Sequence, residues 1–472
     1  MHASTDRPEP TGVPPSRAAR PAPGATTQPA PPPVLERIEL HRIEVPLVRP
    51  FETSFGRETV REVLLVHVVT DAGDGWGECV AGRDPFYSGE YVDGAASVIE
   101  RYLAPALLAA PRPLPEPVAF PEPVEGGRGG FASTGSANGR VEGGRGGFAS
   151  TGSANGRGSA NDTTTTSAAA TIASVPLAAS VASTLSFVAG HRMAKAALEA
   201  AVLDAELRAQ GRSMGEAFGA VREWVDCGVS VGIAPTLDEL LDEVAGYVEQ
   251  GYRRIKLKIK PGWDLVPVGA VRELLGRDGL LQVDANTAYT ADDIPLLASL
   301  DAFGLLLIEQ PFAEEDLATH MRLAAACETP VCLDESILDV TTAVDAIDRG
   351  ATSIVNIKPG RMGGYLEALR VHDACLALDV PVWCGGMLET GIGRAANVAL
   401  AALPGFLLPG DTSASSRYYA EDLTEPFVLG DGEHRGQLRV PDAAGTGVTV
   451  REDLVRDWAS TAPVALSRAS SR

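Results

Sequence analysis

Lysine is the scarce residue of this chain. Of 40 basic residues only five are lysine, namely Lys195, Lys256, Lys258, Lys260 and Lys358, and arginine carries the rest of the positive charge. Cysteine is sparse as well. The six, at positions 79, 227, 327, 332, 375 and 384, form no CxxC pair and no regular framework, so a disulfide scaffold is not indicated and a reducing cytoplasm is the simplest compartment. No apolar run reaches the length that crosses a membrane. Positive charge is in deficit overall: the net charge of −22 argues against a nucleic-acid partner or an anionic membrane surface. What is present in quantity is apolar surface, 45% of 472 residues, ample for a large barrel with additions or for two to three domains.

The texture changes along the chain. Residues 1–33, rich in Pro, Ala, Arg and Thr, carry no apolar period and read as a disordered tail. Residues 35–80 alternate as antiparallel strands, with Asp74-Gly75 read as a hairpin turn, and a helix is expected over about 90–109. Residues 111–186 read as a low-complexity surface insertion, because VEGGRGGFASTGSANGR occurs at 124–140 and again, unchanged, at 141–157; two copies are too few for a solenoid. A strong helix follows at 193–210, and residues 187–223 are assigned with 34–110 to one α+β capping domain. From 224 to 412, eight short apolar runs alternate with helical stretches. That alternation is an α/β signature, and eight strands point to a TIM-like barrel rather than an open sheet. Residues 413–472 are expected to return to the cap.

The few lysines cluster. RRIKLKIKP (253–261) alternates apolar Ile255, Leu257 and Ile259 with cationic Arg254, Lys256, Lys258 and Lys260, a period-two strand. Five consecutive strands end in an ionisable residue: Lys258, Asp284, Glu309, Asp334 and Lys358, spaced 26, 25, 25 and 24 residues apart, the length of a βα unit. Val283, Ile308, Leu333 and Ile357 beside them would face the helices, which turns the charges toward the barrel axis at its C-terminal rim, where barrel active sites lie. Three carboxylates on adjacent strands suit a hard divalent cation such as Mg²⁺ (or Mn²⁺), and no His or Cys shares those rim positions, which disfavours zinc. Lysines on either side of such a cation suit abstraction of a proton next to a carboxylate. The base must be neutral, and lowering a lysine pKa by ~3 units takes ~4 kcal/mol of environment; Lys256, two residues from Lys258 on the same strand face, is expected to supply part of it as a like charge. Lys260, before Pro261, reads as solvated, and His67 and His372 as ordinary strand-face and helix-surface histidines. A closing ring of salt bridges, a lysine Schiff-base aldolase and a non-catalytic barrel are the competing readings.

The ordered set KLK (256–258), VDAN (283–286), IEQP (308–311), LDES (333–336), NIKPGRMGG (356–364) and WCGGMLETGIGRAAN (383–397) resembles the enolase superfamily, muconate-lactonising subgroup, over roughly 35–110 and 187–452. Within it, RPFETSFG (49–56) and GDTSAS (410–415) are similar to the o-succinylbenzoate synthase/N-acylamino acid racemase group. The resemblance implies an α+β cap over a (β/α)₇β barrel, metal on Asp284, Glu309 and Asp334, an acid/base pair of Lys258 and Lys358, and auxiliary roles for Asn286 and Glu335. It implies a syn dehydration of 2-succinyl-6-hydroxy-2,4-cyclohexadiene-1-carboxylate on the menaquinone route, with racemisation of N-acylamino acids as the alternative on the same constellation. Specificity is expected from the cap and the rim loops, with Phe51, Phe55, Ser230, Gly386 and Leu388 as substrate contacts. Residues 82–85 read GRDP where racemase-like members carry Met-Ala-Gly-Pro, which alters one pocket wall. The expected partner is a small-molecule carboxylate, with no nucleic acid and no membrane, in a homo-oligomer.

Overall fold

The computed structural model describes residues 31–111 and 168–469. The tail reading for 1–30 and the repeats at 124–157 lie outside the described residues. The cap begins with three antiparallel strands, β1 (Leu35–Thr53), β2 (Gly56–Thr70) and β3 (Gly73–Cys79). At its centre, Val63, Leu64, Leu65 and Val66 of β2 are all buried, because both faces of the sheet are covered. One face packs under the helix Arg192–Gln210; the other packs with Tyr418, Tyr419 and Leu423 from the C-terminal stretch.

The helix Arg192–Gln210 is buried on nearly every side, and its alanines explain how. A Cβ on Gly77 of β3 would stand 2.1 Å from the carbonyl oxygen of Ala197, and one on Gly75 would stand 2.3 Å from that of Ala201. Strand and helix touch backbone to backbone, which only glycine allows. That corrects the hairpin reading of Asp74-Gly75: the chain turns earlier, at Asp71-Ala72, and Gly75 is there for close packing. The insertion is also shorter than the sequence suggested. Residues 168–174 and 176–184 are helical, with Ile172, Val175, Ala178 and Val181 buried. Small side chains read as low complexity, but at these positions they make the apolar stripes of two helices, of which 176–184 packs on the cap helix.

Three buried glutamates stitch this region through backbone N–H groups: Glu78 accepts from Thr390, Glu199 from Leu366, and Glu206 from Ala178. Burial pushes each carboxyl up to about 7, helped for Glu78 by Glu389. A carboxyl raised in the folded state favours folding below its ordinary pKa and loses that contribution as pH rises through the raised value. The melting temperature is therefore expected to fall between about pH 5 and about pH 8; a scanning-calorimetry series that is flat or rising across that window would reject the assignment.

After a short strand β4 (Trp224–Asp226) come β5 (Gly228–Val231), β6 (Arg254–Lys258), β7 (Leu280–Asp284), β8 (Ile308–Glu309), β9 (Val331–Leu333), β10 (Ile354–Ile357) and β11 (Val382–Cys384), all parallel and in sequential order. The eighth apolar run forms no strand. It closes the barrel through two isolated bridges, Val382 with Phe406 and Cys227 with Gly410. The chain then adds β12 (Gln437–Arg439) against β4 and β13 (Val464–Ser467) to the free edge of β1. His372, expected on a helix surface, is buried: its Nε2 accepts from Gly405 N–H at 3.2 Å and its ring stacks on Phe406.

Candidate active site

Alternation along each barrel strand separates two sets of side chains. Val283, Ile308, Leu333 and Ile357 join the shell of the helices, while Leu307, Cys332, Ile354 and Trp383 form an apolar plug inside the barrel. Above that plug the inward positions turn ionic. Arg254 is fully buried, with its guanidinium on Asp411 (2.8 Å) and on the carbonyl of Pro409, and it lies over the Trp383 ring. Lys256, the next inward residue, places Nζ 2.7 Å from Asp411 and 3.2 Å from both Asp284 and Glu309. Burial works against its charge, but those three carboxylates outweigh it and hold the ammonium well above the ordinary lysine range. The expected tuning role is corrected by this geometry: Lys256 is no spare positive charge beside Lys258, because three anions already claim it.

The rim follows. Lys258 ends β6 and donates to Asp284 Oδ2 (2.6 Å) and Asn286 Oδ1 (2.7 Å). Asn286 sits at φ 42°, a left-handed conformation that asparagine tolerates; there its N–H donates to Asp284 and its amide to Glu335. Glu309 accepts from Asn356 at 2.8 Å. Burial, then the neighbouring Asp284, pushes its carboxyl up to about 8. Across the mouth, Lys358 Nζ stands 2.5 Å from Asp334 Oδ2 and 3.3 Å from the Tyr87 hydroxyl. Burial opposes that charge, yet Asp334 and then Tyr87 and Glu335 hold it well above the usual range. Glu335 is itself pushed up to about 7 by burial and by Asp334. Lys258, Asp284 and Glu309 are level in register, but Glu309 pairs with Cys332, so Asp334 stands two residues further along its strand. Spacings of one βα unit therefore do not put the groups at one height, because a closed barrel staggers its strands.

Lys256, Lys258, Asn286 and Lys358 open onto a cavity of ≈ 300 Å³, with Asp284, Glu309 and Asp334 buried behind the ammonium groups. Phe51, Phe55, Ser230, Gly386 and Leu388 all border it. The cap hairpin is latched over the barrel: Glu52 O accepts from Ile233 N–H at 2.9 Å, and Ser54 donates to Asn286 O. Leu388 holds φ 59°, a strained conformation for a leucine at a cavity wall. Lys260 lies outside, part-exposed near Glu52. Among the described residues, the groups of three or more ligand-type side chains with donor atoms within 4.8 Å of one another comprise Glu39, His41 and His67 on the cap sheet alone; the three rim carboxylates stand further apart, each drawn to a lysine.

With this geometry in view, the likeness to known proteins is specific. The enolase C-terminal domain-like family matches residues 239–454. An N-succinylamino acid racemase from Amycolatopsis sp is 53% identical over 91% of this chain and 98% of its own. An o-succinylbenzoate synthase from Geobacillus kaustophilus is 40% identical over 88% of this chain and 93% of its own. The chain belongs to the enolase superfamily. The solved structure of an enolase-superfamily protein from Listeria innocua superposes with a TM-score of 0.75 at 31% identity, covering 93% of this chain and all of that one.

The sequence did not announce several residues of this enolase-superfamily site. Asp411, which clamps Arg254 and Lys256, follows the apolar run that forms no strand; a sixth rim-level ionisable residue after that run was the signal. Asn356 shares the parity of Lys358. Arg361 donates to Glu335 O and lies over the Tyr87 ring. Tyr87 comes from a cap loop with no pattern to mark it. Gly385 is required as well: a Cβ there would stand 2.6 Å from Lys358 Cε.

Proposed function

We propose that this enzyme removes the proton α to a carboxylate on a succinyl-bearing substrate, and that its reaction is the syn dehydration that yields 2-succinylbenzoate. The observation that carries the reading is the placement of Lys258 at the end of β6 and of Lys358 just after β10, four strands on, with β7, β8 and β9 between them, both opening onto one cavity. Lys258 takes the α-proton and returns it to the leaving hydroxyl on the same face, so no net base is consumed. Lys358, kept charged by Asp334, faces the anion that develops from the other side. Asp284, Glu309 and Asp334 suit Mg²⁺: their donors are oxygen only, Asp334 Oδ1 has no hydrogen-bond partner among the described residues, and Glu309 is crowded by Asp284. When bound there, Mg²⁺ supplies positive charge to the substrate carboxylate as its α-carbon loses a proton.

Racemisation of N-succinylamino acids is the second reading, favoured by the 53% identical racemase relative and using both lysines alternately as acid and base. The purified enzyme with Mg²⁺ is given the cyclohexadiene acid in one assay and an N-succinylamino acid in D₂O in the other. The dehydration is expected to have the larger kcat/KM. The reverse ranking moves the chain to the racemase reading, and turnover of neither substrate withdraws both.

A further inference from the structure

A second polar cluster lies on the cap sheet and shares no residue with the barrel cavity. Glu39 and His41 are two apart on β1, hence on one face, and His67 of β2 is the register partner of Glu39. Glu39 Oε2 lies 3.4 Å from His41 Nε2 and 3.3 Å from His67 Nδ1, and all three atoms fall within 4.8 Å of one another. Metal–nitrogen and metal–oxygen bonds of about 2.0–2.2 Å in a tetrahedral site set its ligand atoms about 3.3–3.6 Å apart. The two shorter separations match that edge.

Two further observations point to a ligand. His67 Nε2 is 2.9 Å from Asp74 Oδ2; with its N–H donated there, the neutral ring turns the Nδ1 lone pair toward Glu39 Oε2. A carboxylate behind a histidine is the arrangement that orients metal-ligating imidazoles. His41 Nε2, for its part, is buried and makes no hydrogen bond among the described residues despite facing the same oxygen. Arg37 Nε occupies the other oxygen of Glu39 at 2.8 Å, leaving Oε2 to the rings. Trp76, the register partner of His67, stacks on its ring at 4.1 Å and fixes its plane. The side chains of Glu39, His41 and His67 are 22%, 16% and 13% exposed, so an ion can enter.

We propose that Glu39, His41 and His67 form a site for a borderline divalent transition ion of the Zn²⁺ class, joining β1 to β2. Two imidazoles and a carboxylate select such ions over Mg²⁺.

The test uses the full-length protein in excess Mg²⁺, so that the barrel site is filled. Zn²⁺ is titrated by equilibrium dialysis with metal analysis, and Co²⁺ serves as the optical probe. Wild type is expected to retain one Zn²⁺ against Mg²⁺ and to give tetrahedral Co²⁺ absorption. His41→Gln and His67→Gln should lose both signals, Asp334→Asn should keep them, and Asp74→Asn should bind about 10- to 100-fold more weakly. Asp74→Asn leaves both rings in place and decides the matter if a histidine variant does not fold. Zn²⁺ retained equally by the histidine and Asp74 variants, or no Mg²⁺-resistant Zn²⁺ in wild type, overturns the site and leaves the rings as salt-bridge partners of Glu39 and Asp74.

Discussion

Lys258→Ala is expected to lower turnover about 10²- to 10⁴-fold, the contribution of a positioned general base, with the circular dichroism spectrum unchanged. Lys258 is the last residue of its strand, its Nζ is held by two acceptors at 2.6 and 2.7 Å, and it borders the cavity. Removing it leaves Asp284 with Lys256 at 3.2 Å and the Asn286 N–H at 3.0 Å, so the rim is not stripped of partners. Lys258→Arg should be no better than alanine, since a guanidinium does not give up its proton in a protein. Lys358→Arg separates the two readings: it keeps a cation opposite Asp334, so the dehydration should retain a measurable rate while racemisation stops. Exchange of the substrate α-proton into D₂O, followed by NMR, reads all three variants. A Lys258→Arg enzyme within about tenfold of wild type would remove Lys258 from the role of base.

The sequence displayed the elements of this site better than their mutual heights. Period-two alternation in RRIKLKI turns Arg254, Lys256 and Lys258 into the barrel, because the intervening Ile255 and Leu257 have helices to pack on. Strand-to-strand spacing placed an ionisable group on each of five strands. It could not display the stagger, which depends on closure: Asp334 stands two residues beyond the partner of Glu309 because the strands tilt. Nor could it display that Lys256 is spent on Asp284, Glu309 and Asp411, since Asp411 belongs to a segment whose barrel contacts are single bridges. Tyr87 reaches Lys358 from the cap, 271 residues away in sequence, and no local pattern encodes such a contact. The alanine-rich 168–184 segment failed for another reason: a helix that buries methyl groups against another alanine-rich helix looks, letter by letter, like filler.

Lys256→Met is the substitution expected to cost most stability, about 3–5 kcal/mol, the penalty of leaving a buried ion without its partner. Methionine nearly conserves the volume, so the loss isolates the charge. Asp411 keeps Arg254 at 2.8 Å and Asp284 keeps Lys258 at 2.6 Å; Glu309 is left with the amide of Asn356. The pH dependence follows from the directions of the shifts. Lys256 is raised, so its contribution is complete below the ordinary lysine pKa and is lost only when pH climbs through the raised value. Asp411 is depressed by the two cations, burial opposing them, so its contribution is present above the ordinary carboxylate pKa and is lost only in strong acid. Glu309, already pushed up to about 8, relieves the variant by taking a proton. The gap between wild type and Lys256→Met in urea unfolding should therefore widen from about pH 6 to about pH 9, and excess Mg²⁺ should narrow it by supplying the missing positive charge. A gap below about 1 kcal/mol at both pH values, the range of an exposed ion pair, would mean that Lys256 does not hold the barrel floor together.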